Sequence, residues 1–166
     1  TQHDLAVLGA EQLDWLLDEL RTSASTHAAV VWVNAVPWIG EADPSSDGWA
    51  GAAAERALIA DAIADAAIDN LVMVSGDAHM VAVDDGTNSD YSTDGGAGFP
   101  VLHAAALDRP GSVKGGPYSH GTFPGAGQYG VIDVEDDGGD EVVLRLTGRT
   151  WDGETLVVHD HPIAVG

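Results

Sequence analysis

Two short apolar runs on either side of an alanine-rich helix constrain the fold of this chain more than any other feature. Residues 28–36, Ala-Ala-Val-Val-Trp-Val-Asn-Ala-Val, are too few for a typical helix and rich in β-branched side chains. Such a run predicts a strand buried on both faces, ended by Pro37. Residues 50–68 predict a helix, with Ile59, Ile63 and Ala67 stacked one turn apart. Leu71 to Ser75 predicts a second buried strand, released by Gly76. Strand, helix, strand in that order is the pattern of a parallel β-α-β unit, since parallel neighbours need a crossover to return the chain to the same end. A further helix is expected over 9–22, where Leu13, Leu16, Leu17 and Leu20 form one apolar stripe.

Beyond Gly76 the periodicity fades. Residues 76–127 are glycine-rich and are expected to be a long irregular segment of the functional kind. From Gln128 the pattern turns all-β, with strands expected over 129–134, 142–147 and 155–158 and a hairpin turn at Asp136-Asp137-Gly138-Gly139. The expected architecture is α/β, a parallel β-α-β unit followed by antiparallel strands. At 166 residues it forms a single domain.

Charge narrows the function classes. The chain carries 27 acidic residues, 20 of them Asp, against 6 basic ones, of which Lys114 is the only lysine, for a net charge of −21. Sequence-independent nucleic-acid binding draws its affinity from cations on phosphates and is excluded on this ground; docking on anionic lipid is disfavoured for the same reason. No apolar run approaches the ~20 residues of a membrane span, and no signal peptide is recognisable in this chain. Without cysteine there is no disulfide, zinc-thiolate site or thiol nucleophile. The acidic surface suits a protein adapted to concentrated salt, one that uses divalent cations outside the cell or in the periplasm, or a plain bias toward alanine and aspartate with solvated acidic faces.

The residues best placed for chemistry are Ser75-Gly76-Asp77-Ala78-His79, at the carboxyl end of a buried strand, where open α/β sheets place their ligands. Asp77 offers an anionic oxygen and His79 an imidazole nitrogen, both donors for divalent or trivalent cations. The bland alternative is an aspartate capping a turn beside a satisfied loop histidine.

Five elements in order along the chain carry a resemblance. Leu8-Gly9-Ala10-Glu11-Gln12-Leu13-Asp14-Trp15-Leu16, Val36-Pro37-Trp38, Asp47-Gly48-Trp49 with Glu55-Arg56, Ser75-Gly76-Asp77-Ala78-His79, and Gly125 to Val134 resemble motifs of the alkaline phosphatase D-type (PhoD-like) phosphatases. This family belongs to the calcineurin-like metallophosphatases. The resemblance implies an αββα sandwich of two stacked sheets flanked by helices. It also implies hydrolysis of small-molecule phosphoesters by water activated at a multinuclear metal centre, with iron and calcium as the expected ions. It assigns metal ligation to Asp77 and His79. The early "D-x-H" strand end and the "GD-x-x-D" and "GN-[HD]" turns of such centres do not occur upstream of Ser75-Gly76-Asp77-Ala78-His79, so the chain resembles the C-terminal half of the domain. The N-terminal half is then the expected partner, and as given the chain is expected to be an incomplete enzyme. Relatives are commonly exported, so a periplasmic or extracellular location is expected.

Secondary candidates follow. Lys114 and His120, on a glycine-rich segment, are candidate substrate contacts, Lys114 as a phosphate partner. Asn34, at a strand end, is another, or else it satisfies a backbone group there. Asp90 and Asp94 fit the first half of a calcium loop that lacks the closing glutamate, Val101 standing at that position. A non-catalytic, salt-adapted, cation-binding domain using residues 84–95 is therefore the rival function. His103 is expected to be buried, Trp38 and Trp49 to pack in the core, and His159-Asp160-His161, although able to chelate, to be an exposed tail.

Overall fold

In the computed structural model, which describes residues 6–165, ten elements form two stacked sheets with two helices on one side. Helix α1 spans Ala10–Thr26 and α2 spans Ala53–Asp65. Strands β1 (Val30–Asn34), β2 (Leu71–Ser75), β3 (Met80–Asp84), β4 (Val101–His103) and β5 (Thr122–Pro124) make one sheet in the order β1-β2-β4-β3-β5. Strands β6 (Gln128–Asp136), β7 (Glu141–Thr150) and β8 (Thr155–Ala164) make an antiparallel meander. The expected β-α-β unit is present: β1 and β2 pair in parallel, Asn34 opposite Ser75, with α2 in the crossover.

Strand alternation sorts the core into two clusters. On one face of the larger sheet Leu71, Met73, Met80, Ala82 and Val101 pack against Leu16 and Leu20 of α1 and Ile59, Ala60 and Ile63 of α2. On the other face Val72, Val83 and Leu102 meet Leu144, Leu146 and Ile163 of the meander. Full burial of such side chains contributes roughly 1.5–3 kcal/mol each. The two sheets approach so closely at Gly148 that a Cβ there would collide with Val81, and one at Gly130 would lie 2.8 Å from Ala104 Cβ. Gly130 and Gly148 face each other in the β6–β7 register. Glycine is required at this pair for steric reasons.

Four expectations change. First, β1 alternates instead of being buried on both faces: Val31 and Val33 are 40% and 77% exposed. They point to the side of the meander, which covers β3, β4 and Val72 and leaves β1 bare. Second, residues 76–127 contain β3, β4 and β5, too short and too interrupted by glycine to show a period. Third, antiparallel pairing is not confined to the end of the chain, since β3 pairs antiparallel with both β4 and β5 inside the first sheet. Fourth, His159-Asp160-His161 is not a tail: it lies in mid-β8, paired with Leu146, Arg145 and Leu144 of β7. Among the described residues no helix is long and apolar enough to cross a membrane.

Candidate active site

The chain leaves β2 at Ser75 and enters β3 at Met80, so Gly76 to His79 form the turn at the carboxyl ends of the parallel strands. Asp77 adopts φ 76°, a left-handed conformation that is uncommon for a residue with a Cβ and one that gathers at functional turns. Beneath it, fully buried His103 on β4 pins the turn. Its Nε2–H donates to the Ala78 carbonyl at 2.9 Å, and its Nδ1 accepts from the Ser75 hydroxyl at 2.8 Å. A carbonyl can only accept, so in the neutral ring this pattern assigns the proton to Nε2. Burial lowers the His103 pKa, opposed by the bond to Ala78, and so favours the neutral ring.

His79 is fixed from the other direction. Its Nδ1 donates to the Pro110 carbonyl at 3.1 Å, so in the neutral ring Nε2 carries the lone pair and has no hydrogen-bond partner among the described residues. The backbone N–H of Ser112 reaches the His79 carbonyl at 3.0 Å and ties the 110–114 segment to the turn. That segment delivers Lys114, whose ammonium lies 2.7 Å from Asp77 Oδ2 and 3.2 Å from Asp47 Oδ1. The hydrogen bond to Asp77, seconded by Asp47, raises the Lys114 pKa and keeps the ammonium charged. Two carboxylates thus converge on one cation position, and Asp47 joins the site although it stands thirty residues upstream of Asp77.

Glu55 and Arg56 hold the surrounding loops. Buried Glu55 accepts from the backbone N–H groups of Val7 and Leu8 at 2.6 and 3.2 Å. Arg56 Nη1 donates to the carbonyls of Trp38 and Gly40 at 2.7 and 2.9 Å, and its guanidinium stacks 3.5 Å over Tyr91. Trp38 and Trp49 are fully buried and meet edge to face at 5.3 Å. Asn34 is spent within this packing: its amide N–H donates to Val36 O at 2.6 Å and its carbonyl accepts from Trp49 Nε1 at 3.0 Å.

The other candidates lie elsewhere. His120 binds the Val83 carbonyl through its backbone N–H and sets its ring against His159, at the far end of β3 from His79. Four residues of strand separate them, roughly 13 Å. Asp90 is occupied by the N–H and hydroxyl of Ser92 at 2.9 and 2.6 Å and by Gly96 N–H at 2.7 Å, and Asp94 is exposed. Asp84 is saturated in the same way. A cavity of about 620 Å³ lies between α1 and the open edge of β1 and borders the site at Asn34, Ala35 and Trp49.

The donor chemistry of Asp77, Asp47 and His79 fits a hard or borderline cation. Their number falls short of a coordination shell: among the described residues no three His, Asp or Glu side chains stand where they could hold one metal ion. The family of PhoD-like phosphatases matches residues 1–113, more than half of the chain and all of this site apart from Lys114. The chain belongs to the PhoD-like phosphatase family. A solved structure of PhoD aligns with 91% of this chain and 35% of its own length, at 14% identity and a TM-score of 0.47. The PhoD-like chain thus spans about a third of that protein, and no curated protein matches it.

Proposed function

We propose that this PhoD-like chain is the C-terminal part of a metal-dependent phosphoester hydrolase, a phosphatase or phosphodiesterase acting on small molecules. The observation that carries the reading is the strained Ser75–His79 turn at the carboxyl ends of β1 and β2. There Asp77 and His79 present an oxygen and a nitrogen donor. Those two residues would hold the metal, with iron and calcium the expected ions and the remaining ligands supplied by the part of the domain absent from this chain. When bound, the metal neutralises phosphoryl charge and activates water. The chain's own contribution is positional: His103 holds the turn, Pro110 orients His79, and Lys114 brings a cation for phosphate beside Asp77.

The reading of one shared domain is supported by β1. Among the described residues no strand pairs with its outer edge, and Val31 and Val33 stand exposed toward the space beside the meander. A further strand and sheet supplied by the N-terminal half would cover both, completing an αββα sandwich and contributing roughly 1–2 kcal/mol at Val33 and about half of that at the less exposed Val31. Export to the periplasm or medium, where an acidic surface tolerates salt, belongs to the same proposal.

The test uses the full-length protein from its source. Asp77→Ala and His79→Ala are expected to lower hydrolysis of aryl phosphate mono- and diesters at least ~100-fold while the fold persists. Near-parental activity in both variants would sink the assignment. The intact mass of the native polypeptide, measured with its metal content, tests the domain reading: a native species of 17.1 kDa without metal contradicts it.

A further inference from the structure

Three later segments of the chain close around the Ser75–His79 turn and are tied to one another through the backbone. Pro110 and Ser112 hold His79 from one of them, and the N–H of Gly125, just beyond β5, reaches the His79 carbonyl at 3.5 Å. Two residues on, Gly127 N–H donates to the Leu107 carbonyl at 3.1 Å, and the Gly127 carbonyl accepts from Trp151 N–H, in the β7–β8 hairpin, at 2.6 Å. Glycine is needed there on two counts: φ is 66°, and a Cβ would lie 2.8 Å from the Trp151 ring. Leu107 and Trp151 therefore meet at one residue, at most roughly 15 Å from the His79 backbone by chain geometry. Both face water, Leu107 76% and Trp151 78% exposed, among the most exposed large apolar side chains described. One such side chain is ordinary, whereas two gathered at the mouth of a candidate active site suit an apolar ligand. The upstream part of the domain would join at the open edge of β1. This rim instead lies at the ends of β3 and β5, the third and fourth strands from β1 and roughly 14–19 Å away.

We propose that Leu107 and Trp151 form a subsite for the organic group of the substrate, so that the phosphoesters preferred are those with an aromatic or long alkyl arm. The subsite rests on the phosphatase reading and deepens it. With the phosphate held beside Lys114 and His79, the arm runs along residues 125–127 toward the indole and the leucine. There it gains apolar burial on Leu107 and ring contact on Trp151, while a methyl ester is too short to reach either. Neither residue touches the reacting atoms, so both set specificity and neither is catalytic.

Two measurements on the full-length protein separate the subsite from the phosphatase reading. The first is titration with naphthylmethylphosphonate, which resists hydrolysis, followed by fluorine NMR of protein labelled with fluorotryptophan, the Trp151 signal being assigned with Trp151→Phe. That signal is expected to shift, and Leu107→Ser and Trp151→Ser to weaken the phosphonate about five-fold or more. No binding, an unmoved Trp151 signal (the result if the upstream part of the domain covers this rim), or parental affinity in both serine variants overturns the subsite. The second is hydrolysis of naphthyl phosphate and methyl phosphate. The kcat/KM preference for the naphthyl ester is expected to fall about five-fold or more in Trp151→Ser. An unchanged preference overturns the subsite and leaves the phosphatase reading standing. Hydrolysis of neither ester by the parent sinks the phosphatase reading, and the phosphonate titration then decides the subsite by itself.

Discussion

Strand β3 is bounded by two aspartates that the fold treats in opposite ways. At its end, Asp84 is fully buried with both carboxylate oxygens filled: Oδ1 accepts from the N–H groups of Gly86 and Asn88 at 3.0 Å, and Oδ2 from Asn88 Nδ2 at 2.7 Å and Ser119 N–H at 2.8 Å. Just before its start, Asp77 accepts no backbone hydrogen bond from the described residues, has a side chain 39% exposed, sits in a left-handed conformation and is paired with an ammonium group. Four protein donors make an anion structural. A strained, half-open carboxylate paired with one lysine remains available to a ligand.

The largest test of that contrast is Asp84→Ala. Four donors lose their acceptor around a buried carboxylate, so a stability loss of about 3–5 kcal/mol is expected, a fall in thermal midpoint of roughly 10 °C by calorimetry. A variant with a parental midpoint would erase the distinction. Next comes His103→Ala, which removes the buried clamp under the Asp77 turn; a loss of about 2–4 kcal/mol is expected in urea unfolding.

Acid probes the same clamp in the parent chain. The folded His103 pKa lies below its unfolded value, so below about pH 6.5 the unfolded chain binds a proton that the native ring refuses. Stability is therefore full above that pH and declines as pH falls through it, by at most ~1.4 kcal/mol per pH unit for this group. Burial shifts His159 and His161 the same way, and they add to the slope. Urea midpoints at pH 7.5 and 5.5 check it; a flat profile would contradict the neutral clamp.

The smallest effects belong to the open aspartate. Asp77→Gly relieves the left-handed strain and is expected to leave stability unchanged or raise it by up to ~1 kcal/mol. Lys114→Ala, which breaks ion pairs that are largely exposed, is expected to change it by less than ~0.5 kcal/mol. A large loss in either would mean that this turn is structural too.

Much of this was legible in the residues. Apolar runs and the crossover helix marked β1, α2 and β2, and the Gly76 break located the turn that carries Asp77 and His79. What escaped did so for definable reasons. An apolar run such as 28–36 shows that a strand can be covered, not whether a covering layer is there, so the exposure of Val33 was invisible. Strands of three to five residues between glycines, as in β3 to β5, are shorter than any periodic signal. Asp47 meets Asp77 only because Lys114 returns from a third segment, a tertiary coincidence with no local trace. The β8 histidines looked like a tail because proximity to the chain end masks strand pairing.

The tryptophans around Asp47 have an optical consequence. Trp32, Trp38 and Trp49 stand edge to face with centroids 5.3–6.2 Å apart, and Trp49 lies two residues from Asp47. Indoles so close and so rigidly held couple their transitions, and the coupled signal depends on their mutual angle. Near-ultraviolet circular dichroism of the untouched protein therefore reports on the loop that carries Asp47. Any ligand or partner that repositions this loop announces itself without a label.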